Sequence, residues 1–247
     1  WINVFAYKLK ISLQQCIAIL ISLFLLSSCN KDIVRRSVPV ENIISVTGIA
    51  KTEIDNVLDF HIRETQRLLK KLMLKLYKRN PRELKKNDLE FPQEHIVRLF
   101  ELEHTWDFPE FKGNYDINII NLTFSDSYKG DRVFSFIAGL TSMIMKSYNY
   151  QSEFYIFDSV DPQKLYNAAR NIEIAVWKLG HNVDLSGELF LYSNSLSAGG
   201  VTNLSYERLC GKLIATQDNI AKIIANKKNQ KITSVMQSMA SAIFLPI

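Results

Sequence analysis

The sequence predicts a mainly α fold of α+β type: a compact bundle of about five or six helices with a small β element. Three features predict it. Apolar residues recur at threes and fours over 52–79, the period of one buried helix face. Residues 131–148 are apolar nearly all round, as a helix in the middle of a core would be. Two short aromatic runs, at 154–157 and 188–192, flank a further helical stripe and read as strands. With 47% of residues apolar and 22% charged, the composition is that of a globular chain and not of a disordered one.

The chain begins with a segment of a different kind. Lys8 and Lys10 form a short positive flank. Residues 11–26 are largely apolar, interrupted by Ser12, Gln14, Gln15 and Ser22, and the small residues Ser27 and Ser28 precede Cys29. A positive flank, an apolar run and a small-residue site make a secretory signal. The most apolar stretch, 16–26, falls well short of the ~20 residues that a spanning helix needs.

Leu26-Ser27-Ser28-Cys29 resembles the lipobox of bacterial lipoproteins: apolar, small, small, cysteine. The resemblance implies that the chain is cut before Cys29, that the Cys29 thiol is diacylated, and that the new amino terminus is often acylated as well. At ~0.8 kcal/mol per buried CH2, two or three acyl chains hold a protein durably on a membrane. In enteric lipoproteins an Asp after the cysteine favours the inner membrane; Asn30 stands there, which points to the outer one. The chain opens on Trp1 and its first methionine is Met73. Reading Leu9 as Met gives a Met-Lys-Ile-Ser opening typical of such leaders. A non-standard start at Leu9 is therefore expected, with Val4 or an upstream segment as alternatives. The expected organisation is a signal peptide over 1–28, a tether over 29–50, and one mostly helical domain over 51–247. Residues 38–46 are β-rich and are candidates for an edge strand.

The elements follow in order. In the first helix, Ile54, Leu58, Ile62, Thr65, Leu69, Leu72 and Leu76 form the apolar stripe. Asn80-Pro81 ends it, because proline disfavours helical geometry in the residue before it. Residues 83–88 suggest a short turn and 93–103 a helix built on Ile96, Val97, Leu99, Phe100 and Leu102. Residues 105–115 form a loop whose aromatics plug the core. Residues 116–124 are open between strand and helix. In the all-apolar helix, Ala138-Gly139 permits a close helix crossing. Asp161 caps and Pro162 opens the next helix, whose stripe is Leu165, Ala168, Ala169, Ile172, Val176 and Leu179, with Gly180 ending it. Residues 204–226 are amphipathic, and 232–245 are expected as a last apolar helix.

Motifs for chemistry are few. His61, His95, His104 and His181 are scattered, without metal-ligand spacing. His104 with Asp107 and Glu110 is the nearest thing to a metal set. Ser193, Ser195 and Ser197, with His181 and Asp184 near in sequence, lack a GxSxG elbow and read as a polar loop before Gly199-Gly200. Asp158 and Asp161 resemble paired carboxylates, but Asp161 already has a capping role. Of three cysteines, Cys16 leaves with the leader and Cys29 is acylated, so Cys210 is left as a buried small hydrophobe. No catalytic residue, metal or cofactor is therefore expected.

The surface carries more. Arg63, Arg67, Lys70, Lys71, Lys75 and Lys78 lie about half a turn from the apolar stripe, and Arg79, Arg82, Lys85 and Lys86 extend the run. On a tethered protein such a face could lie on anionic headgroups, at ~1 kcal/mol per basic residue. It could equally be a solvated face, or pair with the acidic stretch that includes Glu94, Glu101 and Glu110. Loss of Lys8 and Lys10 with the leader takes the formal charge from +5 to +3, too mild for dedicated nucleic-acid binding. The expected protein is a lipid-anchored envelope lipoprotein facing the periplasm, held by acyl chains on Cys29, and a non-enzymatic accessory or scaffold. One alternative is a lipid- or glycan-binding module using the basic helix 63–86 and the loop around Trp106, with anionic lipid or an envelope protein as partner. Another is an envelope hydrolase whose site is not recognised.

Overall fold

Thr52 starts the fold. The computed structural model describes residues 51–87, 91–194, 203–234 and 242–247. These lie in one compact unit, Ile49–Ile247. The leader, Cys29, the tether and its expected edge strand lie outside the described residues.

Helix α1 is Glu53–Arg79. Its Thr52 side chain accepts from the Asp55 amide while the Asp55 carboxylate takes the Thr52 N–H at 2.7 Å, a reciprocal capping box. Its expected stripe from Leu58 to Leu76 is buried, with Ile54 packed at the edge. At its far end Asn80 is buried and Pro81 opens the short α2, Pro81–Leu84, which a 3-10 turn, Lys85–Asn87, continues. Helix α3, Pro92–Phe100, is shorter than expected: Ile96 and Leu99 are buried, whereas Val97 and Leu102 face outward.

Residues 116–124, ambiguous in sequence, form helix α4, Ile117–Thr123. Helix α5, Arg132–Ser147, has every residue buried except Lys146, so the helix without a polar face is the middle of the core. Helices α1, α4 and α6 pack against it. Gly139 is where α4 crosses α5: a Cβ there would sit 2.8 Å from Ile120 Cγ1 and 2.9 Å from the Ile120 backbone nitrogen. Helix α6, Pro162–His181, runs one residue past Gly180 and is capped by Asp161, which accepts from the Gln163 amide at 2.8 Å. Helix α7, Ser205–Lys228, closes the bundle against α6 and α1. The fold is thus mainly α, with seven helices among the described residues.

The expected β element does not form among the described residues. Residues 153–158 make a turn, in which the Phe154 amide donates to Asp59 Oδ1 at 2.9 Å and the Tyr155 amide to Asp158 Oδ2 at 2.8 Å. Side-chain carboxylates satisfy the amides that a strand partner would have taken. Residues 188–192 make one isolated bridge, Val183 to Leu189. Otherwise they are held by the end of α1. Asn80 donates to Tyr192 O at 2.8 Å and accepts from the Tyr192 amide at 2.7 Å, and Arg82 donates to Phe190 O at 3.1 Å.

The expected last helix is also corrected where it is described. Residues 231–234 and 242–247 are not helical. Asn171 on α6 donates to Leu245 O at 2.9 Å and accepts from the Leu245 amide at 2.7 Å, and Asn167 donates to Pro246 O at 2.9 Å. Those amides pin extended chain along α6. Residues 235–241 lie outside the described residues.

No helix among the described residues is long and apolar enough to cross a membrane.

Candidate functional site

The basic side of α1 divides into engaged and open residues. Arg67 grips Glu64 with two bonds, at 2.7 and 2.6 Å, and holds that carboxyl below its usual range. Lys70 reaches Glu101 at 3.0 Å and lies 5.6 Å over the Phe100 ring. Arg82 stacks over Tyr192, and Lys86 binds Glu83 at 2.7 Å and Gly130 O at 3.2 Å. Lys75 donates to Ser205 Oγ at 2.7 Å and sits 4.7 Å over the Tyr206 ring. By contrast Arg63, Lys71, Lys78, Arg79 and Lys85 have no ion-pair partner among the described residues. Half of the run is therefore structural and half faces outward.

Lys71 and Lys75 line one wall of a cleft of about 260 Å³ between α1 and α7. Ser205, Arg208 and Lys212 line the other, over Leu209. No carboxylate lines it. Glu64 on α1 is gripped by Arg67, and Glu207 on α7 accepts from the Asn194 amide at 2.8 Å; neither lines the cleft. Two further clefts differ in kind. One of about 300 Å³ mixes Arg82, Lys86, Lys129 and Arg132 with Glu83, Asp126 and Asp184. One of about 570 Å³, near Asp161 and Lys228, is polar with both signs.

A second polar cluster lies largely inside, with Glu83 and Arg132 at the rim of the cleft of about 300 Å³. Asp131 caps α5, accepting from the Val133 and Phe134 amides at 2.8 and 2.9 Å. Its other oxygen accepts from Tyr77 Oη at 2.6 Å and lies 3.3 Å from His95 Nε2. Burial, and then the adjacent carboxylate, push the Tyr77 phenol far above its ordinary range. His95 is stacked between Tyr77 and Phe134. Glu83, 1% exposed, accepts from the Arg132 amide at 2.8 Å and from Lys86. The Arg132 guanidinium donates to the carbonyls of Thr123, Ser125 and Tyr128 and lies 4.5 Å over Phe190. Sequence reading left His95 among scattered histidines; the one local signal was Asp131 standing where an N-cap belongs.

The remaining candidates are also placed. His104 Nδ1 accepts from the Trp106 amide at 3.3 Å, and its Nε2 donates to Leu99 O at 2.9 Å, so both ring nitrogens are occupied. Glu110 is held by Arg98 at 2.6 and 3.0 Å, so the His104, Asp107 and Glu110 set is not assembled. Among the described residues no His, Cys, Asp or Glu cluster has metal-site geometry. In the aromatic loop Phe108 and Phe111 are buried against Phe134, and Trp106 packs on the core's edge.

His61 is half-buried, its pKa lowered by desolvation. His181 bonds Trp177 O at 2.8 Å and stacks on that ring. Asp184 accepts from Ser186 and Glu188 in its own turn. Ser193 is buried, and Ser195 and Ser197 lie outside the described residues. Asp158 is taken by Gln151 and the Tyr155 amide, and Asp161 by the Gln163 amide. Cys210 is buried, and desolvation pushes its thiol up to about 12.

Comparison with protein families, with curated proteins and with solved structures finds no match for this chain.

Proposed function

We propose that this chain is a bacterial envelope lipoprotein, anchored through acyl chains on Cys29 and acting as a non-enzymatic accessory or scaffold at the membrane. The observation that carries this reading is Leu26-Ser27-Ser28-Cys29 at the end of an apolar, positively flanked leader. Two features support it. The first described helix is capped at Thr52, and the segment 29–50 before it has the length and polar composition of a spacer. Four of the described side chains that could do acid–base or nucleophilic work are employed in the fold: Asp131 and Asp161 as caps, His104 on backbone, Cys210 in the core. Asn30 favours the outer membrane.

Expression of the precursor in bacteria with labelled palmitate, beside Cys29→Ala, tests the anchor. Label and membrane retention that both vanish in the variant are expected, and the labelled fraction identifies the membrane. A soluble, unlabelled product from the unaltered chain would overturn the reading.

A second reading is a module that rests α1 on an anionic lipid or glycan surface. It is favoured by Arg63 and Lys78, which are exposed and have no acidic partner among the described residues. Arg63→Glu with Lys78→Glu is then expected to weaken binding to anionic vesicles, read by flotation, by about thirtyfold or more, at ~1 kcal/mol per basic residue. Undiminished flotation would remove this reading.

A further inference from the structure

The cleft between α1 and α7 gathers four basic side chains, with no carboxylate among the described residues that line it. Lys71 and Lys75 are one turn apart on α1, and Arg208 and Lys212 are one turn apart on α7. Each is a like-charge i, i+4 pair, which works against its own helix. The two pairs then face each other across about 260 Å³, with no carboxylate in the lining. Elsewhere some cations are neutralised, as Arg67 with Glu64, Arg98 with Glu110 and Arg170 with Asp218 illustrate, whereas Arg63, Lys78, Arg79 and Lys85 stand singly in water and not across a cleft from other cations. Here no ion pair forms among the described residues: Lys75 is held only by the neutral Ser205 hydroxyl and the Tyr206 ring, and Glu64, the acid that feels Lys212, is gripped by Arg67.

The cleft is also braced. Tyr206 Oη donates to Lys75 O at 2.7 Å, the Lys75 ammonium lies over the Tyr206 ring, and Ser205 Oγ accepts from Lys75 at 2.7 Å. These contacts lock α1 to α7 and hold one cation in position before any ligand arrives. Preorganised donors lose less freedom on binding. Leu209, buried beneath, supplies a dry floor.

We propose that this cleft binds a phosphate-bearing ligand, held by Lys71, Lys75, Arg208 and Lys212 with the Ser205 hydroxyl. A phosphate group offers up to two charges and three acceptor oxygens, against one charge and two oxygens for a carboxylate. Three ammonium groups and the planar Arg208 fork match the phosphate better. The volume lies below the roughly 300–1,000 Å³ usual for larger ligands, which fits a single headgroup or small phosphate ester. The site goes beyond the envelope reading and does not depend on Cys29.

The test titrates the full chain in detergent with inorganic phosphate, with chloride at equal ionic strength as reference. The readouts are calorimetric binding and the thermal midpoint. Phosphate is expected to raise the midpoint by about 2 °C or more over chloride. Lys71→Gln with Arg208→Gln is expected to weaken binding by about tenfold or more, since two charge-assisted contacts go. The Lys78→Gln variant, outside the cleft, keeps the response.

A parallel arm floats the Cys29→Ala chain with phosphatidylcholine vesicles, with and without phosphatidylglycerol. If phosphatidylglycerol binding requires Lys71 and Arg208 while free phosphate has no effect, the source is a lipid headgroup and the site stands. If phosphate acts no more than chloride, and vesicle binding ignores both substitutions, the proposal falls. The unchanged chloride midpoint of the double variant guards against simple misfolding.

Discussion

Two polar clusters share helix α1, and they differ in how their charges are settled. Near its end, Tyr77, Asp131 and His95 form a cluster closed to water, with Glu83 and Arg132 beside it at the rim of the cleft of about 300 Å³. There Asp131 accepts from two amides and the Tyr77 hydroxyl, and Glu83 accepts from the Arg132 amide and pairs with Lys86. A turn or two earlier, Lys71 and Lys75 face Arg208 and Lys212 across an open cleft with no acid in it. The residue types are similar, yet the first cluster completes itself and the second does not. Buried polar groups must be satisfied from within, because water cannot reach them. An exposed cluster can stay incomplete, at a modest cost in stability, and complete itself with a solute.

The largest way to sharpen this contrast is to open the closed cluster. Asp131→Ala removes the acceptor of the first α5 amides, at ~1 kcal/mol for a cap. It also strips Tyr77 and His95 of a shared oxygen inside the core, at ~1–3 kcal/mol for each group left unsatisfied. A total loss of about 3–5 kcal/mol is expected, read as a fall in the urea midpoint and a drop of about 10 °C in thermal midpoint. A loss of less than about 1 kcal/mol would mean that water or a neighbour completes the cluster, and the contrast would collapse.

What the sequence made legible was local. The stripe of α1 and the apolar girth of α5 are periodicities within single helices. Asp161 sits at the cap read for it and Gly139 marks the crossing, because each acts on its own neighbourhood or lacks a side chain; the caps made by Thr52 and Asp131 were not read. The misread segments were captured from afar. Tyr192 looks like strand, but its backbone bonds go to Asn80, 112 residues away in sequence. Leu245 looks like helix until Asn171, 74 residues earlier, takes both its N–H and its carbonyl. No period reports a side-chain amide standing in for a backbone partner. The cleft was half legible for the same reason. The basic side of α1 is plain, but Arg208 and Lys212 join it only through the packing of α7 on α1.

The smallest expected effect is the most discriminating. Arg208→Gln removes a charge from the open cleft, where no bond to the guanidinium is found among the described residues and its charged neighbours in the lining are cations. Without phosphate, stability is expected to change by less than about 0.5 kcal/mol, as for most surface substitutions. The sign is favourable at low salt, because the substitution relieves repulsion from Lys71, Lys75 and Lys212. The gain should shrink as salt rises, since charges in water are screened over about 10 Å at 0.1 M and about 3 Å at 1 M. Asp131→Ala should show no such salt dependence, because its cluster is dry. A salt-insensitive loss above about 1 kcal/mol in Arg208→Gln would mean that the guanidinium already has a partner within the protein. The cleft would then be as complete as the Asp131 cluster, with nothing left for a ligand to neutralise.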